Sequence, residues 1–183
     1  MAKSNSGERY RTARTLTIDP RIRRIGFAYF EAAILCDWGV KNIRADLPSV
    51  RVRRLLIPLL VKMLDRYRPT ALLVPDVRVG AVRRSHHVRE VVAGVVQEAT
   101  RRDIAVFFVT EAQVRAAFQR VLRGARPNKR RIDQTIAKWF PELEPWLPRV
   151  RRLWEPEGYA VPMFTAVAMW CAWQGVPLAG REQ

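Results

Sequence analysis

The first ordered pattern in the chain is an alternation of polar and apolar residues with the two-residue period of a β-strand. Residues 15–19 alternate threonine with aliphatic side chains and end at Asp19, where Pro20 interrupts the pattern. Residues 25–30 and 33–38 follow as two further strand-like segments after short connections. Short connections between consecutive strands are typical of an antiparallel meander. The sequence therefore predicts a three-stranded antiparallel unit.

From residue 48 onward the apolar residues recur at helical spacing, and two short apolar runs separate the helices. The predicted elements are a helix at 48–68, a strand at 70–76, a helix at 85–103, a strand at 104–109, and helices at 110–122, at 132–140 and from about Pro162. Strand-helix-strand units after a meander predict an α/β fold. The expected sheet is mixed, with the three-stranded antiparallel meander, two parallel strands and helices on both faces.

Local signals refine several of these helices. Pro58 either kinks the first helix or marks its true start. Ser85 is a candidate N-cap, and Thr110 with Gln113 matches a capping box. The valine-rich helix at 86–100 carries an apolar stripe that either packs on the sheet or forms a dimer interface.

Length and composition indicate one globular domain. We expect residues 15–178 to form that domain, with a basic N-terminal arm at 1–14, a Pro/Trp-rich segment at 141–158 and a tail at 179–183. No uncharged apolar run is long enough to cross a membrane, and the N-terminus does not resemble a secretory signal. We therefore predict a cytoplasmic protein.

Charge is the strongest global signal. Lys and Arg together number 33 against 17 Asp and Glu, giving a net charge of +16, and most of the cations are arginine. A field of this sign attracts polyanions, and the arginine fork suits phosphate. A GC-rich genome would explain arginine in place of lysine, but it would not explain the net excess. Nucleic acid is the predicted partner.

The cysteines and three of the tryptophans have less specific interpretations. Cys36 and Cys171 lie inside apolar runs, which favours small buried thiols. Trp139, Trp146 and Trp154 are separated by prolines and either stack on unpaired bases or form a local core over the sheet edge. We favour the local core.

The order of elements and the segment "TIDPRIRRIGFAYFE" together resemble a known group of nucleases. The segment is similar to the opening of the RuvC-type Holliday-junction resolvases and their YqgF relatives, in the ribonuclease H-like superfamily. The matching residues are Ile18, Asp19, Pro20, Arg24, Ile25, Gly26 and Ala28, while Arg21 stands where the family usually has glycine. "RYRPTALLVPD" is similar to the family's strand that ends in an acid, and Gly124 with Lys129 matches its Gly-x-x-x-x-Lys turn. The resemblance spans roughly residues 15–173.

The resemblance implies a metal site at the strand ends. Asp19 and Asp76 would hold Mg²⁺ or Mn²⁺ for phosphodiester hydrolysis, because hard divalent cations bind anionic oxygens. Asp19 is otherwise a turn residue before proline. Asp76 is otherwise a solvated loop acid, since the family's acid aligns with Pro75 and a one-residue shift reverses the face unless a bulge intervenes.

The last helix departs from the family pattern. The resemblance implies an Asp-x-x-Asp motif there, but its two acidic positions fall at Ala160 and Met163. Glu155 and Glu157 lie just upstream and either complete the catalytic set, if their loop folds back, or are ordinary loop acids.

The resemblance also implies a nucleic-acid surface beside the cleft. Its predicted contacts are Arg21, Arg23, Arg24, Arg83, Arg84, Lys129 and Arg130. Two functions follow from this pattern. One is a metal-dependent endonuclease that acts on branched or structured DNA, and the other is an inactive relative that binds nucleic acid or a protein partner. We expect DNA rather than RNA, and a homodimer if the substrate is a two-fold symmetric junction.

Overall fold

The computed structural model describes residues 13–43, 49–78, 86–122, 126–149 and 158–175. The strands are β1 (Arg14–Pro20), β2 (Arg24–Glu31), β3 (Ile34–Asn42), β4 (Ala71–Pro75) and β5 (Ala105–Val109). The helices are α1 (Ser49–Tyr67), α2 (His86–Arg101), α3 (Glu111–Val121), α4 (Lys129–Trp139), a 3-10 helix (Pro141–Trp146) and α5 (Val161–Gln174). The predicted order of elements is confirmed.

The five strands form one mixed sheet in the order β3-β2-β1-β4-β5. β2 pairs antiparallel with both β1 and β3, while β4 pairs parallel with both β1 and β5. The predicted α/β class, with a three-stranded meander and two parallel strands, is therefore confirmed. β1 lies at the centre of the sheet, so its carboxyl end is flanked by a strand on each side.

The two faces of the sheet carry different helices. On β1, Leu16 and Ile18 belong to a core that includes side chains of α1 and α2. The opposite face is covered by α5, and its core includes Leu73 of β4 and Phe30 of β2. Strand alternation places Thr15, Thr17 and Asp19 on this α5 face.

The valine stripe of α2 packs inside the protein. Val88, Val91, Val92 and Val95 are buried in the core shared with α1 and the sheet. The dimer-interface interpretation of this stripe is wrong, because the same side chains already fill the core. Pro58 lies within α1 and does not mark its start.

Helix α5 is buried on nearly its whole circumference and packs across β1 and β2. Trp170 stacks on Phe30 with ring centroids 3.9 Å apart. At the start of the helix, a Cβ on Gly26 would overlap the backbone of Pro162 and Met163. Glycine is therefore required at position 26, because the helix backbone approaches the strand more closely than any side chain permits.

The structure also tests the predicted capping box and the two cysteines. The capping box of Thr110 and Gln113 is present at the start of α3. Cys171 is buried, which raises the pKa of its thiol, but the prediction for Cys36 is wrong because that residue is exposed on edge strand β3. None of the helices in the described ranges is long and apolar enough to cross a membrane. Ser85 and Gly124 lie outside the described residues.

Candidate functional site

Asp19 lies at the carboxyl end of the central strand and is fully buried. Its Oδ2 accepts a hydrogen bond from Nε of Arg21 at 2.8 Å and lies 2.8 Å from Nη2 of the same guanidinium. The turn that allows this contact is closed by the Arg21 amide, which donates to the Arg24 carbonyl at 2.7 Å. The arginine that replaces the family's glycine thus folds back onto the acid at the strand end.

Asp76 follows β4 and forms a similar pair with an arginine two residues later. Its carboxylate accepts hydrogen bonds from Nε and Nη2 of Arg78 at 3.0 and 3.1 Å, and from the Arg78 amide at 3.0 Å. The guanidinium also lies 4.6 Å from the ring centroid of Phe108. The side-chain hydrogen bonds from Arg78 hold the pKa of Asp76 below its usual value, against the opposing effect of burial.

The strand register decides how the two acids are staggered. Thr17 pairs with Leu73, so Asp19 is level with Pro75 rather than with Asp76. β4 and β5 pair without a register shift up to Pro75 and Val109, and the Asp76 amide continues the ladder to the Val109 carbonyl at 2.9 Å. The pairing contains no bulge at Pro75 that would bring Asp76 back to the level of Asp19.

The start of α5 occupies the position from which the family's remaining acids would come. Ala160 and Met163, which align with those acids, are both buried, and the first turn of the helix carries no acidic residue. The close approach of Pro162 to Gly26 holds this apolar turn against the strand next to β1. Gly26 pairs directly with Asp19, so the first turn of α5 lies beside the end of the strand that carries the acid.

The described donor set does not fit a Mg²⁺ or Mn²⁺ site. Within the described ranges, no group of three or more His, Cys, Asp or Glu side chains is arranged to hold a metal ion. The two acids at the strand ends each carry an arginine guanidinium instead. Glu155 and Glu157 lie outside the described residues, so their predicted catalytic role stays a prediction.

The predicted nucleic-acid contacts divide into two groups and a pair outside the described residues. Arg21, Arg23 and Arg24 come together in the β1–β2 connection, where Nη1 of Arg24 lies 3.5 Å from the Gly158 carbonyl. Lys129 and Arg130 are exposed in the first turn of α4, a separate element. Arg83 and Arg84 lie outside the described residues.

Three solved structures resemble this chain in fold. Thermus thermophilus RuvC is similar with a TM-score of 0.58 and 17% identity, over 86% of this chain and 91% of that chain. T. thermophilus RuvC in complex with Holliday junction substrate gives 0.57 and 17%, over 86% and 90%. The yeast mitochondrial Holliday junction resolvase Ydc2 gives 0.60 and 16%, over 90% and 80%. No protein-family model and no curated protein sequence matches the chain.

The chain has a RuvC-type, ribonuclease H-like fold. The similarity covers most of each chain. At this level of identity it shows the fold and leaves the activity open.

Sequence reasoning missed the arginine pairing that distinguishes these strand ends. Both acids occur in an Asp-x-Arg sequence, DPR at residue 19 and DVR at residue 76, and this repeated spacing was a readable signal. Asp37 on β3 pairs with Arg66 at 3.3 Å. It also accepts a hydrogen bond from the Tyr67 hydroxyl at 2.6 Å, which with burial raises the pKa of that tyrosine.

Proposed function

We propose that this RuvC-like protein binds branched or structured DNA through its basic surface and does not cleave it. The observation that carries the proposal is the buried Asp19 carboxylate under the Arg21 guanidinium. A guanidinium supplies the positive charge that a metal ion would otherwise supply, so the acid has no electrostatic need of a cation. The apolar first turn of α5 supports the same conclusion.

The charge of the chain supports nucleic acid as the partner. The net charge is +16, and the solved neighbours include a RuvC in complex with Holliday junction substrate. Arg23, Arg24, Lys129 and Arg130 are our proposed phosphate contacts in the described ranges, and Arg83 and Arg84 are proposed outside them. Contacts of this kind give binding that weakens steeply with salt and reads little sequence.

A metal-dependent endonuclease is the second candidate. The observation that favours it is Asp19 itself, which lies at the carboxyl end of the central strand of a RuvC-type fold. In this alternative Arg21 moves away, and Asp19 and Asp76 bind Mg²⁺ or Mn²⁺ together with Glu155 or Glu157. A metal held by these acids would supply the Lewis acidity that phosphodiester hydrolysis needs.

The deciding experiment compares binding and cleavage on one labelled four-way junction and a matched linear duplex, with Mg²⁺ or Mn²⁺. We expect retardation of the junction in a gel, loss of binding as salt increases, and no cleavage. Arg24→Ala should weaken binding to both DNAs. Arg115→Ala is the matched control and should leave binding unchanged, because Arg115 is an exposed arginine on α3 that is paired with Glu111. Metal-dependent cutting that Asp19→Asn abolishes would overturn the proposal and establish the nuclease.

We further propose that the junction-bound form is a dimer, because a four-way junction has two-fold symmetry and a single copy matches half of it. The mass of the complex in light scattering measures this directly. One protein copy per junction at saturation would contradict it. The cytoplasmic location stays a prediction.

A further inference from the structure

A pocket of about 320 Å³ lies at the outer edge of the sheet, across strand β3. It wraps around that edge, because its walls come from both faces of the sheet. From the α1 side it is lined by Phe27, Asp37, Lys41 and Arg66, and from the α5 side by Trp38, Trp146, Tyr159 and Met163. Neither Asp19 nor Asp76 lines this pocket.

Two aromatic rings on the α5 side of the pocket are open to solvent. Trp146 and Tyr159 are each 50% exposed. The local-core interpretation is therefore wrong for Trp146, whereas Trp139 packs against Phe118 with ring centroids 5.6 Å apart and Trp154 lies outside the described residues. Exposed aromatic rings beside a pocket can stack on a ligand, because their open faces are not used in packing the core.

The tyrosine ring is held in place by the edge strand. The Tyr159 hydroxyl donates to the Val40 carbonyl at 3.0 Å, which fixes the far end of the side chain. A ring tethered at its hydroxyl loses little conformational entropy when a ligand stacks on it. The wall is therefore preorganised.

Glycine forms the floor of the pocket where it crosses the strand. Gly39 has a φ of +151°, a backbone conformation that L side chains rarely adopt, and a Cβ there would lie 3.4 Å from Cε1 of Phe27. A glycine within a strand marks a point where another group approaches the backbone closely. Here the missing side chain leaves space over the strand beside Phe27, whose own ring stays buried in the core.

Two cations, Lys41 and Arg66, line the α1 side of the pocket, across the sheet edge from the exposed rings of Trp146 and Tyr159. Lys41 Nζ lies 5.4 Å from the Phe27 ring centroid, and Arg66 lines the same wall. The acid of the pocket, Asp37, is already paired with Arg66 and with the Tyr67 hydroxyl. A ligand with a flat ring and an anionic linkage matches this combination of aromatic rings and cations.

We infer that the edge pocket binds one unpaired nucleobase of the DNA, with the adjoining phosphate near Lys41 and Arg66; the inference rests on the proposed function. Val40 pairs with Gly26, which pairs with Asp19, so the pocket lies at the same end of the sheet as the strand-end acids. Arg24 also contacts the Gly158 carbonyl, next to Tyr159. A strand held by the β1–β2 arginines can therefore extend to the pocket.

The test uses two labelled four-way junctions with identical arms, one fully paired and one with two unpaired thymines at the branch. Fluorescence anisotropy gives both affinities. Trp146→Ala should weaken binding of the unpaired-base junction by about tenfold or more and leave the fully paired junction within about twofold. Trp146→Phe should retain the preference for the unpaired-base junction. Ile34→Ala is the control, because Ile34 is an exposed apolar residue at the far end of β3.

A second measurement needs no variant. When the two thymines are replaced by abasic residues, the phosphates remain and the bases are lost, so wild-type protein should show the same selective loss. Equal affinity for the thymine and abasic junctions, or an equal loss on both junctions in Trp146→Ala, overturns the inference and leaves the proposed function intact. Failure of the wild-type protein to bind either junction overturns both.

Discussion

The carboxyl ends of β1 and β4 carry the same short arrangement, an aspartate followed two residues later by an arginine that binds it. At β1 the acid is fully buried and its partner Arg21 is 31% exposed. At β4 the acid is largely buried but its partner Arg78 is 68% exposed. The local sequence is alike, so the position in the sheet produces the difference. β1 is central and backed by α5, whereas the end of β4 opens toward solvent.

The difference in burial predicts two different energetic roles for the same local pair. A buried carboxylate that loses its partner costs several kcal/mol, about 3–5 in measured cases, whereas a pair whose cation lies largely in solvent contributes less. The first pair should therefore be structural and the second dispensable for stability. Substitutions at each end test this difference.

The largest effect is expected at Gly26, which lets α5 close over the end of β1. Gly26→Ala would force its Cβ into the backbone of Pro162, and we expect a loss of about 3 kcal/mol in the free energy of unfolding. Chemical denaturation measures it. Gly158→Ala is the matched control, because among the described residues a Cβ there would meet Val161 at 3.7 Å and Pro148 at 3.8 Å, both ordinary contacts. Equal stability of the two variants would contradict the close packing.

Asp19→Asn should have the next largest effect. It leaves the Arg21 guanidinium without its carboxylate, and we expect a loss of about 2 kcal/mol, below the range for fully buried pairs because Arg21 is partly exposed. Asp65→Asn, which removes an exposed acid 3.4 Å from Arg102, is the control. Unchanged stability in Asp19→Asn, measured by urea denaturation, would mean that the β1 pair is no more structural than a surface pair.

Thr17→Val is expected to have a smaller effect and to increase the free energy of unfolding. Thr17 lies two residues before Asp19 and is buried, and its hydroxyl has no hydrogen-bond partner within the described part of the chain. Thr17→Val should raise the free energy of unfolding by about 1 kcal/mol, since an unsatisfied buried hydroxyl is removed at nearly constant volume. Thr165→Val is the control, because it removes a 3.0 Å hydrogen bond to the Val161 carbonyl and should not stabilise.

The smallest effect is expected at the end of β4 and depends on pH. The folded pKa of Asp76 lies below its ordinary value of 3.8, chiefly because of the Arg78 side chain. Its contribution to stability is therefore present above about pH 4 and is lost as the pH falls through the folded pKa. The stability difference between wild type and Asp76→Asn should shrink between about pH 5 and about pH 2. A constant difference would show that the ion pair contributes nothing.

Sequence patterns predicted the fold well because its elements are locally encoded. The alternation at 15–19 and the valine stripe at 86–100 each match an element, and the capping box at Thr110 ends up in the expected place. The order of elements and the "TIDP" segment together led to the ribonuclease H-like fold. These features depend on residues close to one another in the chain.

The candidate site was harder to predict because it depends on contacts between distant segments. Nothing local shows that Gly26 admits Pro162 or that Trp146 faces solvent. The register of β1 against β4, which sets Asp19 level with Pro75, also appears only when the sheet is assembled. The direction of Arg21 toward Asp19 depends on how the β1–β2 connection turns.

The closure of α5 over Gly26 also has a kinetic consequence. The strand and the helix that meet there are separated by more than a hundred residues, so the two central strands cannot complete their core until the helix has been synthesised. Contacts between distant segments slow folding, because a long loop must close before any packing compensates for it. We therefore expect the newly made chain to expose the Phe30 surface on the ribosome until Trp170 arrives to cover it.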